Sequence, residues 1–113
     1  MGERKIDIQE VAQTLRLPED VIVELVEELL DSKDTFLEAL KGAVVSGDNE
    51  KIRAEAHKLK GASSNLRVTS IADLALTMET AARSGESIDH QEMLVKISDE
   101  FDAVRTYLDS QSN

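Results

Sequence analysis

With 113 residues, 41% of them apolar and 32% charged, the chain is long enough for one modest core and too short for two, so a single domain over residues 1–113 is expected. Aromatic content is 3%, there is one proline, no cysteine, and a formal charge of −10 at pH 7. These values exclude disulfides and thiolate metal sites, make a β-sandwich a poor fit, and disfavour nucleic acid as a partner, since binding phosphate needs a surplus of Lys and Arg.

Period-3.6 patterning runs through the chain without a competing strand alternation, which makes the expected class all-α. The segment DIQEVAQTLR predicts a short N-terminal helix over about 7–16, with Ile8, Val11, Ala12 and Leu15 on one side. Asp7 stands at its N-cap, and Glu10 sits three residues on, as in a capping box. Pro18 suits the first turn of a second helix, with Glu19 and Asp20 near the positive end of its dipole. The second stripe runs through Ile22, Leu25, Val26, Leu29, Leu30, Phe36, Leu37, Leu40 and Val44. Its break around Asp31–Asp34 marks either a bend or two helices in sequence, and SGDN (46–49) ends it.

A third helix over about 49–66 carries Ile52, Ala56, Leu59, Ser63 and Leu66, a heptad-like seam. Thr69 or Ser70 can cap a fourth, with Ile71, Leu74, Ala75, Met78 and Ala82 facing inward and Gly85 closing it. Asp89 caps a fifth, whose seam is Met93, Leu94, Ile97, Phe101, Val104 and Leu108, ahead of the polar tail SQSN. Short connections make neighbouring helices antiparallel. The expected architecture is therefore an up-down antiparallel four-helix bundle with its core over about 19–110, plus the short N-terminal helix. If every seam is used inside one bundle, the chain is a monomer. No apolar run reaches the length of about 18 residues that a membrane span needs, and no leader pattern is present, so a cytoplasmic protein without a membrane partner is expected.

Charge is unevenly spread. Between Lys51 and Arg67, five basic residues (Lys51, Arg53, Lys58, Lys60, Arg67) face one acid, Glu55, a local charge of +4 against −14 for the remainder. On a wheel of the third helix, His57 lies well away from the seam, on the opposite edge, so its ring should be at least partly exposed. Lys60 falls about 60° to one side of it, Gly61 about 40° to the other, and Ser64 within about 20°. Singly these residues have ordinary readings: surface histidines and lysines are common, and a mid-helix glycine is tolerated at about 1 kcal/mol relative to alanine. Together they make a sharper pattern. A neutral imidazole nitrogen is a nucleophile near neutral pH, lysine can neutralise a phosphoryl group, and glycine clears the approach of a second protein.

The stretch AHKLKGASSNL (56–66) resembles the signature of histidine-containing phosphotransfer (HPt) domains, in which A-H-x-L-K-G is followed by small residues and an apolar one. The resemblance extends outward. ALKGAVVSGDNEKIRAEAHKLKG is similar to the family's long helix, Gly-Asp turn and phosphohistidine helix, and IADLALTMETAARSGE to its next helix, down to the closing Ala-Arg-x-Gly. Layout matches over 20–110 and residue pattern over about 35–85.

The resemblance implies a bacterial phosphorelay intermediate in which His57 accepts a phosphoryl group from a receiver-domain aspartate and passes it to another receiver. Lys60 would stabilise its charge. Lys58, Gly61, Ser64, Arg53 and Arg67 would form the receiver docking face. The implied partners are response-regulator receivers and a histidine or hybrid sensor kinase. No cofactor is expected on this chain, Mg²⁺ being carried by the receiver, and the chain is a phosphocarrier with no ATP-binding kinase domain. Where the family usually has glycine after the motif's apolar residue this chain has Arg67, which puts the end of the third helix in question. The alternatives are the phospho-accepting substrate domain of a chemotaxis-type kinase and a non-phosphorylated adaptor bundle. A di-iron bundle is disfavoured, because neither His57 nor His90 follows a Glu by three residues. His90 reads as a surface or capping residue.

Overall fold

Asp7 opens the first helix by accepting a hydrogen bond from the backbone N–H of Glu10 on Oδ1 (3.1 Å), which satisfies one of the donors a helix start leaves free. The computed structural model describes residues 4–111, so the last two residues of the polar tail, Ser112 and Asn113, lie outside it. Among the described residues there are six helices and no strand: α1 (Ile8–Leu15), α2 (Glu19–Asp31), α3 (Lys33–Ser46), α4 (Asn49–Asn65), α5 (Thr69–Ser84) and α6 (His90–Ser110).

The second stripe is two helices. The break falls at Ser32, whose hydroxyl donates to the Glu28 carbonyl (3.0 Å), a back-bond that competes with the helix ladder. Ser32 closes α2 and opens α3, so a continuous pattern of apolar residues spans a break between two helices. Gly47 then ends α3 at φ +70°, and Asp48 caps α4 by accepting from the N–H groups of Glu50 and Lys51. Asp89 caps α6 through Glu92 (3.0 Å), as its sequence position predicts.

The junction of α4 and α5 departs from expectation. Neither Thr69 nor Ser70 caps α5; the N-cap position is Val68, which makes no side-chain cap. The chain runs out of α4 through a Schellman turn, with the Arg67 N–H donating to the Ser64 carbonyl and the Val68 N–H to that of Ser63, both at 2.9 Å. Val68, fully buried, thus ends one helix and starts the next, and a polar cap gives way to a core contact. Arg67 takes the left-handed position that the turn demands, at φ +59°. The helix ends as it would with glycine there, at the steric cost that a Cβ carries in this conformation.

One hydrophobic cluster joins all six helices, and the inward seams read from sequence hold except at Leu15, which the end of α1 leaves exposed. Ile52, Ala56, Leu59, Ser63 and Leu66 of α4 are buried, as are Met93, Leu94, Ile97, Phe101, Val104 and Leu108 of α6. The buried Ser63 hydroxyl satisfies itself on the Leu59 carbonyl (2.6 Å). Helix α3 packs on α4, α4 on α5, α5 on α6 and α6 back on α3, while α1 lies on α2. The α4–α5 contact is the most extensive, since Ala56, Ser63, Ala72, Ala75 and Ala82 let the two backbones approach closely. Ion pairs from α6 to Lys5, Lys33 and Asp31 fasten the periphery; the more exposed Lys33–Asp102 and Asp31–Arg105 pairs contribute at most about 1 kcal/mol each. No helix among the described residues is long and apolar enough to cross a membrane.

Arg67→Gly should raise stability by about 0.5–1 kcal/mol, the left-handed strain relieved less the entropy glycine adds to the unfolded chain. Urea unfolding measures this. A lower midpoint for the variant would mean that the Arg67 side chain contributes more than its backbone strain costs.

Candidate functional site

His57 sits midway along α4 with its side chain 58% exposed, off the buried seam as its wheel position predicts. Its Nδ1 lies 2.8 Å from Oε2 of Glu79, on α5. Glu79 is buried, its side chain 1% exposed, and it gathers three partners. Lys60 Nζ approaches Oε1 to 3.2 Å, an ion pair off hydrogen-bond alignment, and Arg83 donates to Oε2 at 3.1 Å.

Burial alone pushes the Glu79 carboxyl up. The hydrogen bond from His57, then the close approach and charge of Lys60, then the charge of His57 outweigh it and hold the group below its ordinary value of 4.5. Glu79 is therefore ionised at neutral pH and can only accept. The proton of a neutral His57 ring must then be on Nδ1, which leaves the Nε2 lone pair free.

The carboxylate is the residue that sequence reading missed. A signal for it exists: on a wheel of α5, Glu79 falls between Ala72 and Ala75, inside the apolar arc, where a charge needs a partner.

The other predicted residues are placed as follows. Lys60 reaches the site through Glu79. Arg53 is held by Glu50 (2.6 Å) and Lys58 by Glu55 (3.2 Å), so much of the basic island is neutralised within its own helix. Ser64 is exposed. Arg67 lies beyond the end of α4, about 15 Å along the axis from His57, beside a shallow hollow lined by Arg4, Asp7 and Glu10. Gly61 is in ordinary helix, and a Cβ there would meet nothing within 4 Å. Nothing among the described residues requires a glycine at this position. His90 is half-buried at the start of α6, with Nδ1 enclosed and no hydrogen-bond partner among the described residues.

On the flank of α4 away from Lys60, an open apolar groove of about 500 Å³ is lined by Leu15, Leu25, Phe36, Ala62 and Leu66, with Asn65 at its wall. His57, Gly61 and Asn65 follow one another at four-residue spacing, so the helix surface leads from the imidazole across Gly61 into the groove. His57 thus stands between a charged cluster on one side and an apolar channel on the other. Among the described residues no group of three His, Asp or Glu side chains could hold a metal ion.

The depressed carboxyl of Glu79 ties folding to pH. A carboxyl lower in the folded than in the unfolded chain stabilises above the unfolded value, and that contribution is lost as pH falls through the folded one. Below pH 4.5, stability should therefore fall less steeply with acid in Glu79→Gln than in the parent. Urea unfolding of both from pH 6 to 3 tests it; identical slopes would show that Glu79 titrates alike in both states.

Comparison with known proteins gives the family of the chain. The Hpt domain family model matches residues 24–107. Among solved structures, histidine-containing phosphotransfer protein B (HptB) from Pseudomonas aeruginosa PAO1 superposes with a TM-score of 0.81 at 25% sequence identity, covering 97% of this chain and 96% of that one. A search of curated proteins returns no match. The family match covers most of the chain, including every residue of the His57 cluster, and the chain belongs to the Hpt domain family.

Proposed function

We propose that the chain is a phosphorelay intermediate in a two-component system, with His57 as the residue that carries the phosphoryl group. The observation that supports this most is the pairing of Nδ1 with an ionised, buried Glu79 while the ring stays more than half exposed. The nucleophile is then Nε2. In transfer from a receiver's aspartyl phosphate, the Nε2 lone pair forms the N–P bond and the acyl O–P bond breaks. The aspartate leaves with the electron pair. No proton has to move, because Nδ1–H is retained and the ring takes up the positive charge, facing the Glu79 carboxylate. Return to a second receiver reverses these steps.

Positioning and charge stabilisation dominate phosphoryl transfer, so a nucleophile, nearby cations and an open approach are what this chain must supply. Lys60 is joined to the reacting ring through their common partner Glu79. Mg²⁺ belongs to the receiver in this reading, and the chain is a carrier with no kinase activity of its own. The closed packing order α3–α4–α5–α6 supports an up-down antiparallel four-helix bundle as the scaffold; in this reading the added N-terminal part is α1 together with α2, where the sequence reading had α1 alone. Receiver and kinase partners follow from the family; in the proposed complex a receiver lies over Gly61 with an apolar element in the adjoining groove.

Phosphotransfer from a panel of labelled receiver domains is the direct test. Label should appear on the parent chain with the acid lability and base stability of a phosphoramidate, and be absent from His57→Gln, whose fold should persist because the side chain is exposed. Equal labelling of His57→Gln would remove His57 from the mechanism. For Gly61→Gln, a bulky helix former in open space, stability should rise by up to about 1 kcal/mol while transfer slows. Undiminished transfer in that variant would refute the clearance role.

A further inference from the structure

We infer that α2 selects the partner by charge: its acidic edge admits a receiver whose apolar docking segment is flanked by lysine or arginine on the side facing Glu24 and Glu28. This inference rests on the reading of the chain as a phosphorelay carrier whose partner enters the groove beside His57.

The groove has one charged wall. Its lining is apolar apart from the neutral Ser32 and Asn65 and the acid Glu28, which stands on the α2 side. Helix α2 holds six acids and no basic residue. On its wheel Glu24 lies about 40° from Glu28, away from the core, and Asp31, Asp20 and Glu27 continue the arc to about 100°. All five are exposed. Arg105 answers Asp31, but Asp20, Glu24, Glu27 and Glu28 have no ion-pair partner among the described residues. Arg16 is the one base between Ile8 and Asp31, against seven acids.

The α4 wall offers no comparable charge. Lys58 lies about 40° from Ala62 on the wheel of α4 and is held by Glu55 at 3.2 Å, so that flank is neutralised within its own helix. A segment seated in the groove therefore meets a negative rim supplied by α2, although the sequence gathers its basic residues on α4. The apolar lining favours any apolar segment and discriminates poorly between them. Like charges brought together at the rim are unfavourable, so the sign of the rim does discriminate. Nδ1 of the reacting ring is held by Glu79 of α5 and not by this edge, so the edge acts on association and leaves the transfer step alone.

The test uses the receiver that loads the parent chain most efficiently, with transfer measured against chain concentration. In the double variant Glu24→Lys/Glu28→Lys, kcat/KM should fall roughly three- to tenfold, the size expected when two exposed attractions become repulsions. The loss should lie in KM, with kcat unchanged, and Glu24→Gln/Glu28→Gln should show part of it. In about 1 M NaCl, where the screening length is about 3 Å, the variants should converge on the parent. The control is Asp73→Lys/Asp99→Lys, which makes the same change in net charge on α5 and α6, neither of which lines the groove. It should leave KM within about twofold of the parent, since exposed charges beyond a screening length act weakly. An unchanged or raised kcat/KM in Glu24→Lys/Glu28→Lys would overturn the inference, as would an equal fall in the control. If no receiver labels the parent, the carrier reading fails first and the inference falls with it.

Discussion

The contact between α4 and α5 governs the rest. Small side chains along both helices bring the backbones close, and the connection of Leu66, Arg67 and Val68 leaves little slack between them. Only at this approach can a glutamate rooted in α5 meet a histidine on the outer edge of α4. Burying an ionised carboxylate is expensive without partners. Here the expense is offset by an imidazole N–H, an ammonium and a guanidinium, all of which keep part of their surface in water. The hydrophobic core holds the two helices in register, and the register holds the imidazole in one tautomer.

Much of this architecture was legible in the sequence, for identifiable reasons. The seams of α4 and α6 follow a regular helical period, so their buried faces could be read residue by residue, and the exposure of His57 followed from its place opposite the seam. Asp7, Gly47, Gly85 and Asp89 mark helix ends because each supplies a specific backbone need. The split at Ser32 was left open because an apolar stripe can continue across a break between two helices. Val68 as a cap was not legible, since caps are read from polar side chains and this junction prefers a buried one. Glu79 was missed because its significance is tertiary: within α5 it is one acid among alanines, and only the neighbouring helix gives it a role.

Charge counting along the sequence overstated the basic island. Glu50, Glu55 and Glu79 answer Arg53, Lys58 and Lys60, and Lys51 and Arg67 have no ion-pair partner among the described residues. The remaining field is set less by the number of lysines on α4 than by which of them can let go of their partners. A pair between exposed side chains is weak enough to be exchanged when a more highly charged anion arrives.

The pairing of Nδ1 with Glu79 carries a consequence for the order of events in the relay. One ring nitrogen is committed to the interior, so the ring has a single reactive atom and a single open face. If His57 is the carrier, as proposed, donor and acceptor would use that face in turn, because two receivers cannot both bring an aspartate in line with Nε2. The kinetics are then those of a substituted-carrier (ping-pong) cycle: the donor departs before the acceptor binds, and an excess of either receiver in its unphosphorylated form competes with the other. Flux through the pathway is governed by how briefly each partner lingers as much as by how fast the phosphoryl group moves.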